Sequence, residues 1–564
     1  TEAALDALRS RGGKIVSISP LRDDIGGAAT WLSPRSGTDV AVMLGLAYVL
    51  ATEDLHDLAF LDRYCTGYRV FERYLLGETD GVAKTPQWAS DKSGLAPDVI
   101  VDLARAMASK RTLVSVTWSL QRIRGGEQAP WMGVTLAAML GQIGIPGGGF
   151  GHGYGSMNEP GRAPVPYPLP TLPQGINPVK TFIPVAAVSD MLLNPGKSID
   201  YNGTRVTYPD IKLVHWAGGN PFHHHQDLGR LRRALARPDT VVVHEPYWTP
   251  MARHADIVVP STTSLERNDL SCTRNDPLLV AMHQAVPKYG DSRDDYDTFA
   301  GVARAMGVGD TFTEGRTSGE WVEHLYGQWR GYLRSAGVET PSFETFWRTG
   351  SVAMATEDDL TFLADFRADP VRNALRTPSG RIEIFSDVVD GFGYADCAGH
   401  PSWQEPAEWS KGPRAQRFPL LLIANQPRSR LHGQLDHGAV SQASKVQGRE
   451  PIRMHPSAAA SRNISAGDVV RVYNDRGSCL AGVLVDDGML ADVVQLSTGA
   501  WYDPLDPEDT TSMCKHGNPN VLTADVGASA LSQGCTGQHV LVQIERYDED
   551  LPPITAFDPP EYVQ

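Results

Sequence analysis

The chain has 564 residues, 41% of them hydrophobic and 21% charged, an ordinary globular composition long enough for roughly three to five domains. Its formal net charge of −15 repels phosphate backbones and anionic lipid, so no nucleic-acid partner is expected. No apolar run reaches the ~18–20 residues of a membrane span, and the six cysteines form no C-x-x-C pair, which argues against a zinc site or an iron–sulfur cluster and for isolated buried thiols.

The chain opens on Glu2–Arg11, which reads as the end of an amphipathic helix. Gly12-Gly13 breaks it, and the apolar run Lys14–Pro20 follows. Helix, glycine break and β-rich run form the middle of an α/β unit. The first domain is therefore expected to be incomplete at its N-terminus, with any targeting signal in the missing part, so the cytoplasm and the periplasm both stay open. Val40–Ala51 reads as a buried helix. Ala96–Ser109 reads as a helix, Thr112–Thr117 as a buried strand, and Trp131–Ile143 as a helix stopped at Gly144 by the run Pro146–Gly149. Gly147–Gln174 is rich in Gly and Pro, and a loop of that length is usually functional.

Strand Lys212–Ala217, helix Asp227–Ala236 and strand Thr240–His244 make a βαβ unit of a parallel sheet, with Ala255–Pro260 as the next strand. Residues 311–410 mix helix and loop, and Trp403–Arg414 reads as a linker. From Phe418 the runs Leu420–Ala424, Val469–Asn474, Leu480–Val485, Val493–Ser497 and Val540–Ile544 are short strands, whose spacing predicts a β-barrel. Asp475-Arg476-Gly477 and Asp486-Asp487-Gly488 have hairpin chemistry. The acidic tail after Arg546 is expected to wrap the surface. The boundaries expected are 1–165, 166–410, 416–546 and a tail at 547–564.

Four motifs carry chemistry. In Trp216–Asp227 a strand runs through Gly218-Gly219-Asn220-Pro221 into a helix start, where glycine backbone and free N–H groups suit a diphosphate. His223, His224 and His225 are contiguous and point in different directions, so hydrogen-bonding loop residues are favoured over a metal site. In Ser33–Asp39, Thr38 or Asp39 either caps the helix or, for Asp39, accepts the two donors of a guanine edge. Trp118–Arg122 lies just past a strand, where Arg122 can polarise an oxygen acceptor and Trp118 can wall a small pocket. On spacing alone an interface Trp and a surface Arg are favoured. Asn425–Gln434 and His516–Thr523 are rich in amides and imidazoles, which suit a polyfunctional heterocycle; the second also fits a turn before a strand.

The segments Trp118–Gln128, Gln142–Gly151, Gly218–Asp227, Val243–Leu270, Thr377–Ser386, Asn425–Asp436 and Cys514–Gly534 resemble bacterial molybdopterin-dependent S- and N-oxide reductases of the dimethyl sulfoxide reductase family. Within it the resemblance is nearest to the biotin sulfoxide and trimethylamine N-oxide reductases. It implies a cofactor, molybdenum bis(molybdopterin guanine dinucleotide), and a last domain that is a β-barrel covering it. With the element reading, the fold class expected is α/β: two α/β domains with largely parallel sheets plus a C-terminal β-barrel of six-stranded type.

By the same resemblance Trp118 and Arg122 stand near the substrate oxygen. Gly218, Gly219, Asn220, His224 and Gln226 contact one dinucleotide, as do Ser19, Pro20 and Asp39 in their own domain. His244, Glu245 and Asp256 occupy matching strand-end segments. Asn425, Gln426, Arg430, His432, Gln434, His516, Asn518 and Asn520 contact the pterins from the barrel. The family's serine ligand to molybdenum has no matching motif in this chain, so no metal ligand is named. The implied reaction is two-electron oxygen-atom transfer from a small S-oxide or N-oxide (biotin sulfoxide, methionine sulfoxide, dimethyl sulfoxide or trimethylamine N-oxide), with electrons from an external donor. The competing reading is a non-catalytic remnant, or a subunit completed by a separate N-terminal chain. A nicotinamide dehydrogenase is disfavoured, because no G-x-G-x-x-G follows an early strand.

Overall fold

The computed structural model describes residues 2–27, 29–153, 164–354 and 360–561. The middle of the Gly147–Gln174 loop therefore lies outside the described residues. Helix α1 (Glu2–Ser10) ends where Gly12 takes φ +80°, and β1 (Val16–Ile18) pairs in parallel with β2 (Thr30–Leu32). Helix α2 (Asp39–Thr52) buries Ala41 through Ala47, Val49 and Leu50. A helix apolar on every side has to be central, and α2 forms the middle of the first core. Strand β3 (Cys65–Thr66), helix α3 (Pro97–Ala108), strand β4 (Leu113–Val116), helix α4 (Gln128–Met139) and strand β5 (Gly149–His152) follow, with β5 parallel to β4.

Helix α4 starts at Gln128, ahead of the expected Trp131. Pro130 then falls in the first turn, where its missing N–H costs nothing. The helix also stops earlier than Gly144, because Gly141 already takes φ +67°.

Strands β6 (Leu213–Ala217), β7 (Thr240–Glu245) and β8 (Ile257–Pro260) form a parallel sheet with β7 in the middle. Between β6 and β7 lie a one-turn helix α5 (Pro221–His224) and helix α6 (Leu228–Leu235). The helix start expected after Pro221 is present, but it belongs to a separate short helix ahead of the one expected at 227–236. The Asn220 side chain starts α5 by accepting from Phe222 N (3.0 Å), and the Asp227 side chain starts α6 by accepting from Arg230 N (2.9 Å). An antiparallel sheet of β9 (Asp269–Thr273), β10 (Asp276–Met282) and β11 (Ser351–Ala353) packs a separate core with Tyr326, Trp329 and Phe346. Strand β12 (Ile382–Glu383) then returns to pair with β3, and Phe366, Ile382 and Ile384 join the first core.

The C-terminal strands β13 (Leu420–Ile423), β14 (Pro451–Met454), β15 (Val469–Tyr473), β16 (Ser478–Val485), β17 (Val493–Leu496) and β18 (His539–Arg546) close a barrel in the order β13-β17-β14-β16-β15-β18. Five of these were legible as β runs. The sixth, β14, is only four residues long and opens on Pro451, which is tolerated at the first position of a strand. Asp475-Arg476-Gly477 is a hairpin turn, since Tyr473 pairs with Ser478. Asp486-Asp487-Gly488 is not one: β16 and β17 are not neighbours. That turn instead docks on the first domain, where Gly488 O accepts from Arg22 N (2.8 Å) and Met489 bridges to Leu21. The tail is more than a surface wrap. Ala556 is buried, Thr555 N and Oγ1 donate to Asp503, and Phe557 packs on Trp501 with ring centres 5.2 Å apart.

The β6–β8 sheet and the barrel share one core, in which Phe222, Val241 and Val243 pack with Ile452, Val470 and Val542. This joint fixes the carboxyl end of the sheet against the barrel loops. Among the described residues no helix is long and apolar enough to cross a membrane.

Candidate active site

A narrow crevice opens where Arg122, the end of α5 and several segments of the barrel domain meet. Its walls include Arg122, His224, Gln426, His432, Asn520 and Cys535. Arg122 terminates the 3-10 turn Trp118–Gln121, and its N–H donates to Ser119 O (3.0 Å). Among the described residues its guanidinium has no hydrogen bond or ion pair. His224 is the last residue of α5, placed by the Asn220 cap. Burial, then His225, His432 and Arg122, push its imidazole down to about 4, so it is neutral. Upstream, Gly218 takes φ +82°, and nothing lies within 4 Å of where a Cβ would stand. That conformation favours glycine, and the backbone there stands open.

The barrel wall rests on a buried ionic quartet. Arg430 Nη2 meets Glu450 at 3.0 Å, Arg430 Nε lies 3.4 Å from Asp436, and Lys445 Nζ meets Asp436 at 2.8 Å and Glu450 at 2.5 Å; none of the four side chains is more than 2% exposed. Burial pushes the Asp436 carboxyl up, but Lys445, His516 and Arg430 together hold it well below the usual carboxylate range. Arg430 also donates to the carbonyls of His432 (3.0 Å) and Thr498 (3.1 Å), so its guanidinium is committed inside the protein. Asn518 is committed too: its Nδ2 donates to Phe222 O (2.9 Å) and Ala500 O (2.8 Å), clamping the sheet to the barrel.

Other polar atoms have no protein partner. Nε2 of His223, His225 and His516, Oε1 of Gln226 and Nδ2 of Asn520 are all buried and unbonded. Gly537 brings two of these side chains together, since a Cβ there would lie 3.4 Å from Gln226 and 3.6 Å from Asn520. A buried polar group left unpaired costs about 1–3 kcal/mol, so such a cluster fits a polar, polyfunctional ligand. Burial also pushes His223 down to about 3 and His225 to about 4, leaving all three rings of the run neutral. Among the described residues no group of three metal-binding side chains occurs.

The remaining expected residues divide. Asp39 opens α2 with no partner among the described side chains, and desolvation pushes its carboxyl up to about 6. Ser19 is buried and bonded to Asp24, and with Pro20 it lies in the loop after β1, away from the crevice walls. His244 stands between His215 (2.9 Å) and Asp295 (2.8 Å), and Asp256 accepts from Val241 N (2.7 Å), so both are occupied within the sheet. Glu245 accepts from Thr249 (2.7 Å) and Asn220 (3.2 Å), yet burial still pushes it up to about 7. Asn425 accepts from Gln495 (2.7 Å), and Gln434 is exposed. Trp118 is 38% exposed beside His152, off the crevice wall.

Sequence reasoning missed Cys535. It is half-buried on the crevice wall, and its thiol donates to His224 O (3.5 Å). All six thiols are free, as expected; four are buried, while Cys272, like Cys535, is only half-buried. A wider hollow of about 360 Å³, bordered by Arg462, Tyr473 and Glu545 on the outside of the barrel, shares no residue with the crevice.

Two family descriptions match this chain. "Molybdopterin oxidoreductase" matches residues 4–305, more than half of it, and "Molydopterin dinucleotide binding domain" matches residues 420–541, the barrel. The chain belongs to the molybdopterin oxidoreductase family. As a molybdopterin oxidoreductase it is an enzyme that works with a molybdenum–molybdopterin cofactor. The dimethyl sulfoxide/trimethylamine N-oxide reductase of Rhodobacter capsulatus is 44% identical over 578 residues, covering 99% of this chain and 70% of the relative. The biotin sulfoxide reductase of Cereibacter sphaeroides is 44% identical over 552 residues, covering 97% and 74%. Among solved structures, acetylene hydratase from Pelobacter acetylenicus shares the fold at 19% identity, with a TM-score of 0.66 over 96% of this molybdopterin oxidoreductase and 75% of that chain.

Proposed function

We propose that this molybdopterin oxidoreductase removes an oxygen atom from small S-oxides or N-oxides, using molybdenum bis(molybdopterin guanine dinucleotide) and electrons from an external donor. The observation that carries the reading is the convergence of Arg122, His224, Gln426, His432 and Asn520 on one crevice beside a cluster of unpaired buried polar atoms. The names of the relatives supply the substrate class. When bound, the cofactor supplies the two-electron redox chemistry of oxygen-atom transfer.

The chain's own residues do the rest. Gly218 and Gly219 leave backbone room for one dinucleotide, and Gln226, His516 and Asn520 offer it their unpaired atoms. Asp39, with Ser19 and Pro20 nearby in sequence, takes the other nucleotide; its desolvated carboxyl suits the paired donors of a guanine edge. Arg122 is the catalytic residue. As an unpaired fixed cation it stabilises charge on the oxygen as the bond to sulfur or nitrogen breaks, and Trp118 walls the approach. His244 and Asp256 act through the sheet, by holding its strand ends. No observation favours a non-catalytic module.

The test is to purify the protein from a host that makes the cofactor. Molybdenum, about two guanine nucleotides per metal, and turnover of a sulfoxide or trimethylamine N-oxide with a reduced viologen are expected. Protein free of metal and nucleotide would overturn the reading.

A further inference from the structure

His432 is fixed in the crevice from three sides. Its backbone stands at φ +50°, a region in which non-glycine residues persist only when the surroundings enforce it. Gly499 permits this, since a Cβ there would lie 2.0 Å from His432 O. Arg430 Nε, itself anchored in the ionic quartet, donates to the same carbonyl (3.0 Å). Gln426 grips the residue twice: its Oε1 accepts from His432 N (2.9 Å), and its Nε2 makes a short contact with ring Nδ1.

That double grip fixes the hydrogen-bonding sense of the ring. Because Oε1 is taken by a backbone N–H, the amide end against the ring is the NH2, which can only donate. Its nearer contact is Nδ1, with Nε2 farther off at 3.4 Å. Nδ1 therefore accepts, and the ring proton sits on Nε2. Burial, and then the Arg122 charge, disfavour the imidazolium form. The neighbouring His224 ring, 5.8 Å away and edge-on, is also neutral and does not reverse this. Arg122 and His432 both line the same narrow crevice.

We propose that Gln426 is a positioning residue that holds His432 as its Nε2–H tautomer, and that His432 donates this N–H to the oxide oxygen of the substrate beside Arg122. The inference rests on the function proposed above. His432 is then a hydrogen-bond donor and not a proton source: a neutral imidazole polarises the bond without surrendering its proton. Two fixed donors lining one crevice select the oxygen of an S-oxide or N-oxide.

The experiment uses holoenzyme labelled with ¹⁵N-histidine. The His432→Gln spectrum identifies the His432 signals by their loss. At neutral pH the wild type should show a protonated, pyrrole-type Nε2 and an unprotonated, pyridine-type Nδ1, and Gln426→Leu should mix the tautomers. In turnover per molybdenum, His432→Leu should lose roughly 10²–10³-fold in kcat/KM, while His432→Gln, which keeps an N–H donor, should recover at least about tenfold of that loss. An Nδ1–H or doubly protonated ring in the wild type would overturn the inference, as would Leu and Gln variants with equal activity. A wild type that binds the cofactor but reduces no oxide would overturn the proposed function and the donor role together. An active wild type with the wrong tautomer would overturn this inference alone.

Discussion

Replacing Lys445 with Met tests whether the crevice wall depends on its buried charges. Arg430 and Lys445 balance Asp436 and Glu450, and all four side chains are at most 2% exposed. Methionine keeps the length of the lysine stem but leaves two carboxylates facing one guanidinium. Removing one partner of a buried pair costs about 3–5 kcal/mol, because a charge is left uncompensated. An exposed pair such as Arg69–Glu72, with the arginine 64% exposed, is worth at most about 1 kcal/mol. Adding Glu450→Gln restores neutrality around Arg430 and Asp436, and should recover about 1–3 kcal/mol of the loss. Hydrogen exchange of peptides spanning residues 425–450, alongside a urea midpoint, reads the effect where it arises. The sign with pH follows from Asp436. Its folded carboxyl lies below the unfolded value of 3.8, so its stabilisation is present above that value and is lost as pH falls below about 4. Lys445→Met should flatten this acid limb. A single-variant cost below about 1 kcal/mol, with the second substitution adding to the loss, would refute the reasoning.

Arg122→Ala should lower turnover per molybdenum by about 10²–10³-fold while metal content holds; a change within about threefold on every oxide would remove its catalytic role. Gly499→Ala combines φ +93° with a Cβ placed 2.0 Å from His432 O, so molybdenum content and thermal midpoint should both fall. Glu245 has a folded carboxyl raised from 4.5 to about 7, so it should reduce stability progressively as pH rises across that interval. Glu245→Gln should remove that slope from a pH series of denaturation midpoints, and an unchanged slope would place its cause elsewhere.

The parts of the fold legible in the sequence are those whose signal is local. Helix α2 is apolar on every face, the βαβ unit alternates β-rich runs with an amphipathic helix, and five barrel strands lie between turn residues. What escaped depends on distant chain. Strand β12 is two residues long and exists because it pairs with β3. Strand β14 gains its character from β16 and β17 on either side, not from its four residues. The turn Asp486–Gly488 has the composition of a hairpin, but its partners are Arg22 and Leu21, more than four hundred residues earlier in the chain.

The site divides the same way at finer grain. The motif around residue 430 was legible as a polar, ligand-rich segment, yet within it Gln426 stands at the crevice while Arg430 is sealed in an ionic network. Asn518 and Asn520 are two positions apart, and nothing in their own sequence separates them. Asn518 spends its amide on Phe222 O and Ala500 O and its Oδ1 on Asn520 N, whereas Asn520 keeps an unpaired Nδ2. Which of the two can serve a ligand is decided by where α5 docks on the barrel. Residue type at motif spacing therefore states what chemistry a segment can offer. Only the partner segment states which atoms remain free to offer it. The polar atoms left unpaired after packing, more than the residues that carry the motif, define the surface that the cofactor has to satisfy.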